Sequence, residues 1–336
     1  MSGEQASFTW RDAGRTILFG PGLLSRAAEA LADQGISEFE LLSTERALAD
    51  AGDLTAAAGA VHEVAPGSVP DAAAAIVDQV SAPRLVALGG GRVIDTAKAV
   101  AAVSGAEVAA IPTTLSGAEM TGIHRLPKSV EGRAKGLVRP VLALADPEPM
   151  TGLPEAELRF SAMNALAHGA DSLYTPFANP VSRMAALRGA ELIAGSLDEP
   201  RESRERGSLA LGSILCGYAI DSALFAIHHV ICQTLVRELE IPHAQTNAAI
   251  LPEAMAFMRD RAPEQMADLA AALGSEVESL PQRIYELGRP PRLGELGADH
   301  GRLDAALEAM TDRPELGFAP DPPGREHLRA IVEAAW

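Results

Sequence analysis

The chain has 336 residues, 47% of them apolar, with 45 acidic against 28 basic side chains for a formal charge of −17. That length suits two ordinary cores rather than one, and a field of that sign with no Lys/Arg block repels phosphate backbones and anionic lipid. Nucleic acid and membrane surfaces are therefore not expected partners. Only two cysteines occur, Cys216 and Cys232, and the start MSGEQASFTW has no basic segment leading into an apolar one, so a reducing cytoplasm and no secretory leader are expected.

In chain order, RTILFG reads as a strand, LLSRAAEALADQG as a helix, FELLST as a strand and PDAAAAIVDQV as a helix. RLVALGGG is the next strand, VIDTAKAVAAVSG its helix and EVAAIPTT a further strand. Short apolar strands alternating with Ala-rich amphipathic helices predict a parallel sheet covered on both faces. After VLALADPEPM the Leu/Ala/Met spacing becomes three and four almost throughout, which predicts an all-helical second half. Pro147 and Pro149 mark the turn between them, giving domains 1–150 and 151–336. The most apolar region, residues 209–236, contains Asp221, His228 and His229 and reads as a buried helix pair, not a membrane span.

Three motifs carry chemistry. In LVALGGGRVIDTAKAV, residues 85–100, a strand runs into Gly89, Gly90 and Gly91 and then a helix with Asp95 and Lys98 in its first turns. Glycines at that joint permit close backbone approach, and the free N–H groups of the helix start suit a pyrophosphate. The G-x-G-x-x-G spacing is absent, and a tight turn is the competing explanation. Next, IPTTLSGAEMTG places Thr113, Thr114, Ser116 and Thr121 after the following strand, where hydroxyls bond either a nucleotide or their own turn. In the helical half, Asn164 and His168 share a face at i, i+4, as do His229 and Gln233, and His243 follows in EIPHAQTN. The remaining histidines, His62, His124, His300 and His327, have no such context and read as structural or surface groups.

FGPGLL, ALGGGRVIDTAKA, IPTTLSGAEMT, MNALAHGADSLYTPFANP, HHVICQTL and IPHAQTNAAILP occur in the order and approximate spacing of the iron-type alcohol dehydrogenases, which the chain resembles from about residue 8 to its end. Within that superfamily it looks most similar to the maleylacetate reductases. The resemblance implies a Rossmann-like dinucleotide-binding domain, an all-α second domain in a dehydroquinate synthase-like architecture, and an active site in the cleft between them. It also implies a homodimer paired through the amino-terminal domain. Gly89, Gly90, Gly91 and Asp95 match the pyrophosphate segment, and Thr113, Thr114 and Ser116 the loop beside phosphate and nicotinamide. The implied coenzyme is NADH or NADPH; Ser43 and Thr44 stand where an Asp commonly selects NAD, so NADPH use is expected to be tolerated.

Metal-using relatives hold iron or zinc with one Asp and three His, and the matching positions here are Asn164, His168, His229 and His243. The amide removes a full negative charge, so metal affinity should fall, although three histidines still bind zinc in some open sites. A further His that relatives carry four positions after the second metal His is Gln233 here, which cannot exchange a proton near neutral pH. The resemblance thus implies an NAD(P)H-dependent reductase of a small anionic enoate, maleylacetate to 3-oxoadipate, in the breakdown of aromatic compounds. His168, His229 or His243 would stabilise or protonate the enolate, and Arg125, Lys128 and Arg159 are candidate carboxylate binders. A metal-dependent alcohol dehydrogenase and a non-redox lyase or cyclase on the same fold are the alternatives.

Overall fold

The structure, a computed structural model, describes residues 7–12, 14–128, 130, 132–134 and 136–336; residues 1–6 of the start that was read for a leader lie outside them. The chain divides into two compact units, Met1–Leu153 and Pro154–Trp336.

The first unit holds strands β1 (Phe8–Asp12), β2 (Arg15–Phe19), β3 (Glu40–Ser43), β4 (Val61–Glu63), β5 (Arg84–Gly89), β6 (Glu107–Pro112) and β7 (Leu142–Ala145). Its helices are α1 (Ala27–Asp33), α2 (Glu45–Leu48), α3 (Leu54–Ala57), α4 (Val69–Ile76), α5 (Gly91–Ser104) and α6 (Pro147–Met150). The strands form one seven-stranded sheet in the order β1-β2-β7-β6-β5-β3-β4, parallel except for the antiparallel β1–β2 edge. Strands β5 and β6 are apolar without alternation because both their faces are covered. Leu85 and Ala87 pack with Val93, Ala97 and Val100 on one face, while Val86 and Leu88 pack with Leu31, Leu41 and Ile111 on the other. That alternation is the two-residue period of a strand.

Several elements add to the sequence expectation. Strand β1 is a half-exposed polar edge, and β4 is three residues long, too short to display a period. Strand β7 falls in the run that marks the boundary. The chain reverses its direction of travel across the sheet at β3 and β5, the kind of switch point at which open α/β sheets bind ligands.

The second unit is α7 (Glu155–Ser172), α8 (Pro180–Asp198), α9 (Arg206–Ala223), α10 (Ile227–Leu239), α11 (His243–Met258), α12 (Pro263–Ala272), α13 (Leu280–Gly288), α14 (Leu303–Thr311) and α15 (Arg325–Ala334), with short 3-10 turns between them. Helix α7 is buried on nearly every side. Glycines bring its neighbours close: a Cβ on Gly169 would lie 2.9 Å from Cys216 Sγ, and one on Gly189 would lie 2.8 Å from the Gly212 carbonyl. Cys216 is packing, with its thiol pushed up to about 12 by burial. Among the described residues no single helix is long and apolar enough to cross a membrane; α9 and α10 are apolar but bent by 99° at their junction.

Candidate active site

In the first unit the two motifs meet at neighbouring strand ends. Gly89 is in register with Pro112, and the Thr113 amide donates to the Gly89 carbonyl at 3.0 Å. Gly90 is the N-cap of α5 and offers no capping side chain, so the first amides of that helix face outward without an internal acceptor. A Cβ on Gly90 would lie 2.9 Å from Thr114 Cγ2, and one on Gly91 would lie 2.9 Å from Ser116 Cβ. The glycines therefore let the helix start seat against the hydroxyl loop, and the result is a backbone cradle of the kind that binds an anionic phosphate. Its donors are main-chain groups and loop hydroxyls, which fits a dinucleotide.

The charged residues of the same motif are turned inward. Lys98 is fully buried, and its Nζ donates to the carbonyls of Ala118, Thr121 and Ile123 at 2.9–3.0 Å and pairs with Asp95 at 2.7 Å. It pins the loop after β6 and has nothing left for a ligand. Asp95, matched to the pyrophosphate segment by sequence, directs its carboxylate to Lys98; an anion turned to phosphate would repel it. Beside them Glu119 is buried with both carboxyl oxygens unpartnered, and burial raises it to about 7 against the pull of Lys98. Ser43 donates to the Leu88 carbonyl at 2.8 Å and Thr44 caps α2, so both hydroxyls proposed to face a ribose are committed within the fold.

In the second unit the sequence pairs do share faces. The rings of His168 on α7 and His229 on α10 are stacked with centroids 5.0 Å apart and planes 20° from parallel. His228 meets His229 edge-on at 5.0 Å. What orders them is Asp171, which the sequence reading passed over. Its carboxylate is fully buried and accepts from the amides of Ala226, His228 and His229 at 2.9, 3.3 and 3.2 Å, from the Tyr174 hydroxyl, and from His229 Nδ1 at 2.9 Å. Burial alone would raise this carboxyl, but the His229 bond and the adjacent imidazoles outweigh it and hold it at about 2.

A carboxylate only accepts, so Nδ1 of His229 carries a proton and Nε2 is the ring's open nitrogen. That Nε2, and Nδ1 of His168, are buried with no hydrogen-bond partner. The turn that delivers α10 is strained: Leu224 lies at φ 59°, ψ −167°, and the Thr175 hydroxyl donates to the Ala223 carbonyl at 2.5 Å. The strain sits where Asp171 caps the incoming helix. Burial, and then the neighbouring imidazoles, hold His168 well below the ordinary histidine range and His228 at about 3, so both rings are neutral.

His243 lies at the exposed start of α11, and a second amide links it inward. Asn247 Nδ2 donates to the His243 carbonyl at 2.9 Å and to His243 Nε2 at 3.2 Å, while Asn247 Oδ1 accepts from His228 Nε2 at 3.0 Å. The carbonyl contact fixes which end of the amide is which. His243 Nε2 is thereby occupied, and Asn164 supplies an amide rather than a carboxylate. Among the described residues no group of three or more His, Cys, Asp or Glu is arranged to hold a metal ion. The donors assigned to iron or zinc by resemblance form no such group: Asn164 brings an amide in place of a carboxylate, and His243 Nε2 meets the Asn247 amide.

The remaining candidates resolve as follows. Gln233, one turn after His229 and half-buried, accepts from Arg313 Nη2 at 3.1 Å. Arg159 is not a substrate group: it is buried, bonded to Glu155 at 2.7 Å and to the Leu287 and Leu197 carbonyls, where it ties helix ends together. Lys128 is exposed and paired with Asp71 at 2.7 Å, and Arg125 is exposed. The sequence held a signal for Asp171, an acid three positions after His168 on the same helix, and for Asn247, which repeats the i, i+4 amide–imidazole spacing. Arg313 lies 80 positions from Gln233 in the chain and left none.

Two family profiles match: iron-containing alcohol dehydrogenase over residues 14–147 and the Fe-containing alcohol dehydrogenase family, C-terminal, over residues 160–336. The chain is similar to a maleylacetate reductase of Rhizobium sp. strain MTP-10005, 32% identical over 98% of this chain and 97% of that one. It is likewise 32% identical to maleylacetate reductase 1 of Rhodococcus opacus, over 100% of this chain and 98% of that one. The crystal structure of maleylacetate reductase from the same Rhizobium strain superposes with a TM-score of 0.83 at 31% identity, covering 99% of both chains.

Proposed function

The chain belongs to the iron-containing alcohol dehydrogenase family and is an oxidoreductase, and from that premise we propose that it is an NAD(P)H-dependent reductase of a small anionic enoate, converting maleylacetate to 3-oxoadipate. The observation that carries this reading is the neutral donor set of the second unit: Asn164 in place of a carboxylate, and His243 Nε2 engaged by Asn247. Oxidising an unactivated alcohol benefits from a metal-bound alkoxide, whereas an alkene conjugated with a carbonyl already has an electron sink. Full-length relatives named maleylacetate reductase support the same choice.

The coenzyme, when bound, supplies a hydride to one carbon of the double bond. The bonding pair then moves toward the carbonyl oxygen, and the neighbouring carbon takes a proton that derives from solvent. The α5 start and the 113–116 loop hold the dinucleotide phosphates. His168, kept neutral, has one N–H to place on the oxygen that gains charge, as a neutral imidazole does when its pKa is depressed. Asp171 fixes the ring of His229, whose Nε2 is left to hydrogen-bond a water or hydroxyl in the site.

The test is the loss of NADH and NADPH absorbance on adding maleylacetate to enzyme prepared with and without a chelator. Oxidation that survives the chelator, with both coenzymes, is expected. Activity abolished by the chelator and restored by iron or zinc would move the chain to the metal-dependent dehydrogenases. Strict use of NADH would remove the suggestion drawn from Ser43 and Thr44.

A further inference from the structure

Beside the phosphate cradle lies a carboxyl that the chemistry described so far does not use. Glu119 belongs to the 3-10 turn Ala118–Met120, three residues after Ser116 of the hydroxyl loop, and that turn packs against α5 and β6. The fit is close at the helix start, where a Cβ on Gly91 would lie 3.8 Å from Ala118 Cβ. Lys98 holds the backbone on either side of Glu119, its Nζ donating to the Ala118 and Thr121 carbonyls at 3.0 Å each. Glu119 itself is 1% exposed, and neither of its carboxyl oxygens meets a hydrogen-bond donor.

The cations that act on it are Lys98 and Arg15, and each already faces a carboxylate. Lys98 pairs with Asp95 at 2.7 Å; Arg15, on β2, pairs with Asp12 at 2.9 Å and donates Nη1 to the Met120 carbonyl at 2.6 Å. The other charged side chains of the two elements packed on the turn are Arg92, in the first turn of α5, and Glu107, exposed at the opposite end of β6 and paired with Arg84 at 3.3 Å. His124 faces the same Lys98 and Asp95; burial and then Lys98 lower it, so it carries no charge at neutral pH. An ionised Glu119 is therefore an excess negative charge, buried and without a donor, and burial raises the carboxyl to about 7. A dinucleotide seated on the start of α5 brings the negative charge of its pyrophosphate to this neighbourhood, and like charge disfavours ionisation further. We propose that Glu119 couples coenzyme binding to proton uptake: the free protein loses this proton as pH rises, and a bound dinucleotide draws it back from solvent. The proposal rests on the coenzyme part of the reductase reading and is independent of what the second unit reduces. Its sign follows from linkage. While both states hold the proton, affinity is level; once the free protein has lost it, binding requires its return and Kd rises with pH until the bound form ionises too.

Calorimetric titration with NADH, and with ADP-ribose, which has the pyrophosphate but no nicotinamide, tests this in buffers of different ionisation heat. Wild-type enzyme should take up a fraction of a proton on binding either ligand, and both Kd values should rise about tenfold between about pH 6 and 9, the scale of a one-unit shift in one carboxyl. Glu119→Gln keeps the shape of the protonated acid and cannot ionise, so the uptake should vanish and Kd should stay throughout at the wild-type value of acid pH. Its melting temperature should not fall below that of wild type at any pH of the series. Coenzyme binding with this linkage in an enzyme that leaves maleylacetate unreduced would sink the substrate reading and support the inference. Reduction of maleylacetate by an enzyme that binds coenzyme with no proton uptake, or with uptake that Glu119→Gln retains, would do the reverse. A Glu119→Gln protein less stable than wild type, or a wild-type enzyme that binds neither NADH nor ADP-ribose, would overturn the inference as well.

Discussion

The two units treat their polar side chains in opposite ways. In the first, Lys98, Asp95, Ser43 and Thr44 all reach back to the protein, and what is left for a ligand is backbone, a helix start and a hydroxyl loop. In the second, the backbone is closed within helices and the open groups are side-chain atoms, His229 Nε2 and His168 Nδ1. A unit that binds through its main chain recognises a charge and a shape. One that binds through oriented imidazoles and amides can act on a particular atom. The first arrangement depends on small residues, the second on the groups that aim the rings.

The comparison is broken hardest at Asp171. Replacing it with Ala removes the cap of three amides, the partner of Tyr174 and the anchor of His229 at once. Losing one partner of such a buried charge network costs about 3–5 kcal/mol, read by urea unfolding, and reductase activity should disappear with it. Asp171→Asn is the sharper variant. An amide oxygen at the Oδ2 position still accepts from Ala226, from the His229 amide and from His229 Nδ1, so the ring keeps its tautomer and most of the stability returns. An Asp171→Ala protein as stable as wild type would mean that the turn is held by Leu224 and its neighbours instead.

Glu119 is the exception within the first unit, a carboxyl with no partner, and it predicts a stability effect that Lys98 does not cancel. Burial lifts it from 4.5 to about 7; Lys98 and Arg15 pull the other way and Asp95 adds to the rise. The folded state therefore holds a proton that the unfolded state releases between those values. Stability falls as pH rises from about 4.5 through 7, by about 3 kcal/mol in all, and is unaffected below that window. Glu119→Gln should remove that part of the slope, so the variant gains on wild type as pH rises from 5 to 8 in parallel melts. Identical slopes would show that the carboxylate finds a partner in solution.

Much of this was legible beforehand, for physical reasons. Parallel strands buried on both faces announce themselves as unbroken apolar runs, and β5 and β6 did so, while the polar edge β1 and the three-residue β4 lacked the length or contrast to show a period. The histidine pairs were visible because an i, i+4 spacing is written into the helix. Their order was not, since Asp171 acts across a tight turn on residues 55 to 58 positions away. Arg159 misled for the same reason: its closeness in sequence to Asn164 said nothing of the helix ends it ties together.

The gentlest test bears on the backbone cradle. Gly91→Ala places a Cβ 2.9 Å from Ser116 Cβ and 3.1 Å from its Oγ, so the hydroxyl loop has to shift by a few tenths of an ångström. The helix itself gains from the better helix former, and stability should barely change. Coenzyme affinity, measured by quenching or calorimetry with NADH, should fall about tenfold, since a displaced loop loses directed hydrogen bonds to an anion. Ser116→Gly alone removes a hydroxyl and should weaken binding modestly. In the double variant the clash is gone, so the two losses should be far from additive and Ser116→Gly should recover most of what Gly91→Ala lost. Strict additivity would show that the glycine serves the ligand directly and that the contact between helix start and loop is incidental to binding.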